Sequence, residues 1–169
     1  MVESEHCVRT ERLIVRRPTE ADRARFVELF SNEDFMVFSD GAVSEIEANW
    51  RFDRMMARCA ELSFAKRPVV ERSSHVVVGY TGVDWIEFDN RRWLEWGYRL
   101  AAGARGQGYA TEASVALLDV AAKEYTGEIL GIIHPENRAS QSVIRKLGFE
   151  YWKRAPVQGE VRDLYRREV

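Results

Sequence analysis

Apolar and polar positions change their period several times along the chain, and each change marks an element. Residues 12–17 (RLIVRR) mix apolar and basic side chains over the length of a strand and stop at Pro18, where extended backbone gives way to a turn or a helix. Thr19 with Asp22 three places on is a capping arrangement, and Ala24, Val27 and Phe30 follow at helical spacing, which predicts a first helix over 20–30. Ser44 with Glu47 is a second capping box, and Ile46, Trp50, Met56 and Cys59 carry an uneven apolar stripe through a second helix. Between the helices NEDFMVFSDGA reads as a loop. Its Phe35 and Phe38 either tuck into the core or wall a substrate pocket.

Residues 62–65 and 75–79 have the character of strands separated by a charged turn, KRPVVERSS, in which Pro68 limits regular pairing. Residues 82–86 continue or follow the second of them, and FDNRR is a turn signal through Asp89 and Asn90. Residues 93–100 (WLEWGYRL) form a strong strand candidate with Gly97 inside it. Either a bulge or a close approach, such as a ligand beside the strand, accounts for a glycine there.

From Gly108 the period becomes helical, with Ala110, Ala113, Leu117, Ala121 and Tyr125 in one stripe and Leu118 beside it. A short apolar strand at 129–133 precedes a helix over 138–147, in which Ala139, Val143 and Leu147 recur and Gly148 supplies the C-terminal cap. Strands at 149–153 and 161–167 close the chain as a hairpin. The order is strand, two helices, several strands, helix, strand, helix, two strands. That order predicts an α/β (mixed α+β) fold in which helices pack on a mixed sheet, since the middle strands lack intervening helices. With no repeat and no break in composition, residues 1–169 read as a single domain.

Composition narrows the function. A net charge of -2 offers no basic face for nucleic acid, so direct nucleic-acid binding is not expected. Cys7 and Cys59 make no disulfide framework, and the start MVESEHCVRTERL carries acids before any apolar run. No stretch approaches the roughly 20 apolar residues of a membrane span. These features predict a cytoplasmic protein without a membrane anchor. His6, His75 and His134 lack ligand spacing, so no metal site is expected.

The segment richest in chemistry is Arg105-Gly106-Gln107-Gly108-Tyr109-Ala110, set between a strand and a well-patterned helix. The first turn of a helix presents unpaired N–H groups, and a glycine-rich approach lets a phosphate come close to them. A simple glycine turn is the alternative. The segment is not a Walker A loop, because Tyr109-Ala110 stands where Lys and Ser/Thr are needed. A dinucleotide fingerprint fails as well, with Thr111 in place of its third glycine.

Several blocks, taken together, resemble the GNAT acetyltransferases, and within them the RimJ/RimL-like branch of ribosomal-protein acetyltransferases. They are Thr10-Glu11-Arg12-Leu13 leading to Arg16-Arg17-Pro18 and Asp22, and Glu95-Trp96-Gly97-Tyr98-Arg99-Leu100. They continue with Arg105 through Ala113, and with Pro135-Glu136-Asn137-Arg138-Ala139-Ser140 running on to Lys146-Leu147-Gly148-Phe149. The resemblance covers about residues 9–168. It implies a strongly twisted mixed sheet whose fourth and fifth strands splay apart, with acetyl-CoA seated in the opening. It further implies that the backbone of Arg99 and Leu100 pairs with the pantetheine arm and that the amides from Arg105 through Ala110 hold the pyrophosphate. Asn137 matches a position that contacts the cofactor, although Asn is also a good N-cap. Ser140 falls near the thioester sulfur, or is an ordinary first-turn residue.

Direct transfer to an amine requires removal of a proton and departure of the CoA thiolate. Glu95 is the expected general base, its carboxylate surrounded by Trp93, Trp96 and Tyr98; the alternative is an exposed or ion-paired glutamate. Ser140 is the expected partner of the leaving thiolate, and Phe35, Phe38 and Trp93 are expected to wall the substrate pocket. Where many members carry a tyrosine acid, four residues before the Gly-Phe pair, this chain has Ile144. The expected acceptor is a primary amine of a protein or peptide N-terminus or of a small molecule, and a homodimer is the oligomer the resemblance suggests. An acyl-CoA-binding sensor without turnover is the alternative function.

Overall fold

The structure, a computed structural model, describes residues 7–39 and 41–169. The acidic start of the chain with His6, and Asp40 of the segment between the first helices, lie outside the described residues. The strands are β1 (Cys7–Arg9), β2 (Leu13–Arg16), β3 (Arg67–Glu71), β4 (Val77–Phe88), β5 (Arg91–Leu100), β6 (Glu128–Ile133), β7 (Glu150–Val157) and β8 (Glu160–Glu168). They form one sheet in the order β1-β2-β3-β4-β5-β6-β8-β7. Only β5 and β6 run parallel; the other neighbours are antiparallel. Two-residue turns close the β4–β5 and β7–β8 hairpins. Their central residues, Asp89 and Asn90 (φ 55 and 56) and Gln158 and Gly159 (φ 51 and 87), all have the positive φ that matches strand twist.

Helices α1 (Arg23–Phe30), α2 (Glu33–Met36) and α3 (Glu45–Glu61) bury a phenylalanine-rich core with Val70, Val77 and Tyr80 on one side of the sheet. Helices α4 (Tyr109–Glu124) and α5 (Arg138–Lys146) contribute to a larger core with Leu94, Trp96, Leu100 and Ile129. A bidentate Arg16–Asp22 pair at 2.7 and 2.8 Å, with the Thr19 amide also donating to Asp22, fixes the entry to α1.

Several sequence expectations are corrected in their phase. In α1 the buried residues are Phe26, Leu29 and Phe30, because the larger side chains take the interior in preference to Ala24. In α3 they are Ala48, Phe52, Met55 and Cys59, a proper helical stripe, whereas Ile46 and Trp50 are exposed. The NEDFM segment is not a loop: Asn32 accepts the Phe35 amide at 2.9 Å and starts α2. The expected turn around Pro68 is instead β3, and residues 62–65 hold only a single bridge, Ala65 to Val83. Pro68 is tolerated because pairing of β3 with β2 begins at Val69, so the residue lacking an N–H sits beyond that ladder. In α5 the inward residue is Ile144, while Ala139 is exposed. Gly148 does end that helix, in a Schellman arrangement with the Gly148 amide on Arg145 O and the Phe149 amide on Ile144 O.

Candidate active site

Pairing between β5 and β6 covers only Leu94 to Trp96 against Ile129 to Gly131. Beyond that point β5 stays with β4 as far as Leu100, and β6 stays with β8 as far as Ile133. The strands therefore part, and one edge of residues 97–100 faces an opening. The Ala101 amide donates to Val78 O at 2.8 Å. Because backbone direction alternates along an extended strand, Arg99 also turns its amide and carbonyl toward β4, and Tyr98 and Leu100 turn theirs into the opening. The expectation named Arg99 and Leu100 for this edge; of the two, the strand turns the Leu100 backbone to the opening and the Arg99 backbone to β4.

The opposite wall is the start of α5. Asn137 accepts the Ser140 amide at 3.1 Å, the capping role, and Gln141 donates to Pro135 O at 2.7 Å. The Tyr98 hydroxyl crosses the opening to donate to Ser140 O at 3.0 Å, and burial pushes this phenol up to about 12. Tyr98 thereby fixes the distance between the two walls. Ile144 is fully buried against Gly131 and Tyr165, so its side chain is part of the floor below the opening.

Below the end of β5 a 3-10 turn (Ala102–Ala104) leads into Gly106 and Gly108, with φ of 73 and 82. Glu112 makes the first helical bond of α4, to Gly108 O at 3.0 Å. Among the described residues, no backbone carbonyl accepts from the amides of Gly106 through Thr111. A Cβ built on Gly106 would have nothing within 4 Å, so the approach to those amides is open. Tyr109 is turned inward, donating to Glu71 at 2.7 Å beneath Arg12, which anchors the helix start to β3. Ala110 is half-buried, and Gln107 donates to Gly103 O at 2.9 Å. Arg105 departs from expectation. Its amide is used by Ala102 O, and its guanidinium meets Leu100 O and Asp34 at 3.0 Å, bracing α2 to the end of β5.

The other face of β5 carries Trp93, Glu95, Gly97 and Arg99. Lys66 Nζ donates to Glu95 at 2.7 Å, with only 22% and 19% of the two side chains exposed, so Glu95 is found ion-paired, with lysine as its partner. Burial alone would lower the Lys66 pKa, but the Glu95 charge outweighs it and holds the ammonium above its ordinary value. The Lys66 side chain lies over Gly97, where a Cβ would be 2.8 Å from Lys66 Cε. No bulge interrupts the β4–β5 register at this point. Asp84, the cross-strand neighbour of Glu95, is held by Arg54 and Arg58 at 2.8 and 3.1 Å.

Trp93 donates to Phe88 O at 3.1 Å and packs on Trp152. Phe35 lies in the core against Phe30 and Tyr80, whereas Phe38 is 39% exposed and meets the His134 ring at 5.5 Å, near the end of β6. The sequence did not single out Lys66 or Asp84, and it set Trp96 and Tyr98 around Glu95, whereas the strand turns both to the opposite face, Tyr98 toward Ser140. Cys59 donates to Lys66 O, and burial pushes its thiol up to about 11, which leaves it a packing residue. Among the described residues there is no group of His, Cys, Asp or Glu able to hold a metal, and no helix is long and apolar enough to cross a membrane.

An edge of free strand backbone, a row of amides without backbone acceptors at a helix start and the Lys66–Glu95 pair on the adjacent face lie around the parting of β5 and β6. Comparison with known proteins places the chain in a family. The family model of the acetyltransferase (GNAT) domain matches residues 12–150. An uncharacterized protein of Bacillus subtilis, YkkB, is 29% identical over 150 residues, 85% of each chain. An acetyltransferase structure from Agrobacterium tumefaciens superposes with a TM-score of 0.83 at 23% identity, covering 100% of this chain and 98% of that one. The ribosomal L7/L12 α-N-protein acetyltransferase RimL, solved in complex with coenzyme A, does so with a TM-score of 0.76 at 18% identity, covering 96% and 98%.

Proposed function

The chain belongs to the GNAT acetyltransferases, which move an acetyl group from acetyl-CoA to an amine, and we propose that it does so in the cytoplasm by direct attack within a ternary complex. The observation that carries this reading is the opening between β5 and β6 together with the free amides at the start of α4. The Tyr98 backbone and the Leu100 amide would pair with the pantetheine arm, Leu100 O being taken by Arg105, and the amides of Gly106 through Ala110 would hold the pyrophosphate, helped by the α4 dipole. Asn137 and Ser140 line the far wall. In the RimJ/RimL-like branch the acceptor is the amine of a protein or peptide N-terminus; a small-molecule amine suits the same site.

When bound, acetyl-CoA supplies a thioester carbonyl as the acetyl donor. Glu95 takes the proton from the acceptor amine, directly or through one water, while Lys66 keeps the carboxylate in place. The Ser140 hydroxyl is the hydrogen-bond donor for the departing sulfur, a role left open by Ile144 in place of tyrosine. Cys59 takes no covalent part.

The test measures CoA release from acetyl-CoA with N-terminal peptides, amino acids, polyamines and aminoglycosides, for wild type and Glu95→Gln. An acceptor whose kcat falls about a hundredfold or more in the variant, with acetyl-CoA affinity kept, supports enzyme and base together. Undiminished turnover would remove Glu95 as the base, and tight acetyl-CoA binding with no turnover would favour a sensor.

A further inference from the structure

Helix α5 contains no acidic residue. Arg138, Gln141 and Arg145 recur along it at intervals of three and four, so they share one flank. That flank faces the β7–β8 hairpin across an open groove of about 830 Å³, whose walls also hold Lys146, Tyr151, Arg154 and Tyr165. The carboxylate on the groove, Asp163, is buried and taken by Arg154 in a two-point contact at 2.8 and 3.1 Å. The other three cations have no carboxylate among the described residues. Arg138 and Lys146 make no side-chain hydrogen bond or ion pair there, and Arg145 donates only to the Tyr165 hydroxyl at 3.4 Å.

The helix dipole accounts for two of these charges and works against the third. Arg145 and Lys146 stand in the last turn, where a cation is favoured, but Arg138 is the first residue of α5, where the helix end is itself positive. An exposed arginine held against the dipole without a partner adds to a local excess of positive charge. Once these three cations are set aside from the net charge of -2, the rest of the chain is net negative. The groove is thus a confined cationic track on an acidic molecule, and its field favours a short acidic partner over a long polyanion.

The cofactor is not that partner. Val143, on the flank of α5 turned the other way, packs into the core together with residues of α4. No residue of α4 or of the glycine segment lines the groove. Arg138 and Arg145 stand two turns apart, about 10 Å along the axis, so the charges form a row that matches spaced carboxylates on a chain. A run of bases would need successive rings to stack on, whereas Tyr151 is the exposed ring here. It stands edge-on to the buried Tyr165 at 5.6 Å and offers an apolar wall to the methylene stems of glutamates.

We infer that the groove between α5 and the β7–β8 hairpin is a docking surface for an acidic segment of a partner polypeptide, with Arg138 and Arg145 as its counter-ions. The inference stands apart from the acetyltransferase reading, because binding is read without turnover.

The test follows a short labelled polyglutamate peptide by fluorescence anisotropy on the whole chain, at neutral pH and about 0.15 M salt. Polyglutamine and oligouridylate of the same length are measured beside it. The proteins are wild type, Arg138→Gln/Arg145→Gln, Arg138→Glu/Arg145→Glu and Arg9→Gln/Lys123→Gln; the last removes two exposed cations outside the groove. All these side chains are exposed, and thermal unfolding checks that each variant is folded. Wild type holds polyglutamate and not polyglutamine. The Arg138→Gln/Arg145→Gln pair weakens binding about threefold to thirtyfold, as expected for two exposed charge contacts. Charge reversal abolishes binding, the Arg9→Gln/Lys123→Gln protein binds as wild type does, and excess CoA displaces nothing. Absence of polyglutamate binding at that salt overturns the inference, and so does an equal loss in the Arg9→Gln/Lys123→Gln protein. Oligouridylate held as tightly as polyglutamate would make the groove a nucleic-acid site instead, and displacement by CoA would give it to the cofactor; either result overturns the docking surface.

Discussion

The Lys66–Glu95 pair is the part of the site whose energetics the structure defines most sharply. At 2.7 Å and an effective dielectric of about 20, the Coulomb attraction is about 6 kcal/mol before desolvation. Removing two largely buried charges from water offsets much of it. A net coupling of about 2 kcal/mol is expected from a double-mutant cycle of Lys66→Met and Glu95→Gln, followed by urea unfolding. Lys66→Met alone should cost about 3 kcal/mol, because it leaves the carboxylate half-enclosed without its partner. A coupling below about 0.5 kcal/mol would refute the argument, since two independent groups give that value.

The pH dependence supplies a second check on the same pair. The Lys66 pKa is raised above the ordinary 10.5, so its contribution is fully present below the unfolded value and is lost as pH rises through the higher folded one. The stability gap between wild type and Lys66→Met should therefore be flat from about pH 7 to 9 and close only above about pH 10.5. A gap that closes already in the neutral range would contradict the sign of the shift.

Four further outcomes follow from individual contacts. Gly97→Ala should push aside the tip of Lys66, whose Cε would lie 2.8 Å from the added methyl, at a cost of less than about 1 kcal/mol that disappears in a Lys66→Ala background; equal costs in both backgrounds, by thermal unfolding, would count against the close approach. Ser114→Ala should cost about 1–3 kcal/mol, leaving the buried Thr81 hydroxyl and Trp96 indole without the serine oxygen now 2.8 and 3.4 Å away; Thr81→Val in addition should recover part of it. Gly131→Ala should cost about 1–3 kcal/mol by pressing on Ile144 Cδ1, 2.9 Å from the new methyl, and Ile144→Val should relieve it. For Asp22, burial would raise the carboxyl, but the Arg16 and Thr19 hydrogen bonds outweigh it and hold it below the usual range. Its stabilisation is therefore present above about pH 4 and lost as pH falls further, and Asp22→Asn should flatten that acid limb of the urea midpoint.

Elements with a strong local signal were legible. The Asp89-Asn90 turn, the helix after Gly108 and the Gly148 cap all depend on neighbours in sequence, and all are found where the pattern put them. The phase of α1 and α3 was not legible, because several stripes of similar hydrophobicity coexist on each helix and only packing against the partner selects one. β3 was concealed by Pro68, whose tolerance depends on where the neighbouring strand begins. In the site, the glycine segment announced itself, but the uses of Arg105 and Lys66 did not. Arg105 meets Asp34, and Lys66 crosses to Glu95 from a segment whose own pattern points only to a turn. Such pairings are set by the sheet order, and no spacing within either segment encodes them.

The same strand separates backbone chemistry from side-chain chemistry. Along β5 three directions are available: one edge, with Tyr98 and Leu100 backbone turned into the opening; one face, with Leu94, Trp96 and Leu100 sealed against α4; and the other face, with Glu95, Gly97 and Arg99 turned toward α2 and Lys66. The edge is made of backbone, so substitutions at 95 or 99 leave its hydrogen-bonding groups in place. The sealed face holds the edge rigid through the Trp96–Ser114–Thr81 contacts. Only the third direction is free to vary in charge without loosening the other two. Side-chain changes on that face therefore leave both the backbone edge of β5 and the amides at the start of α4 in place.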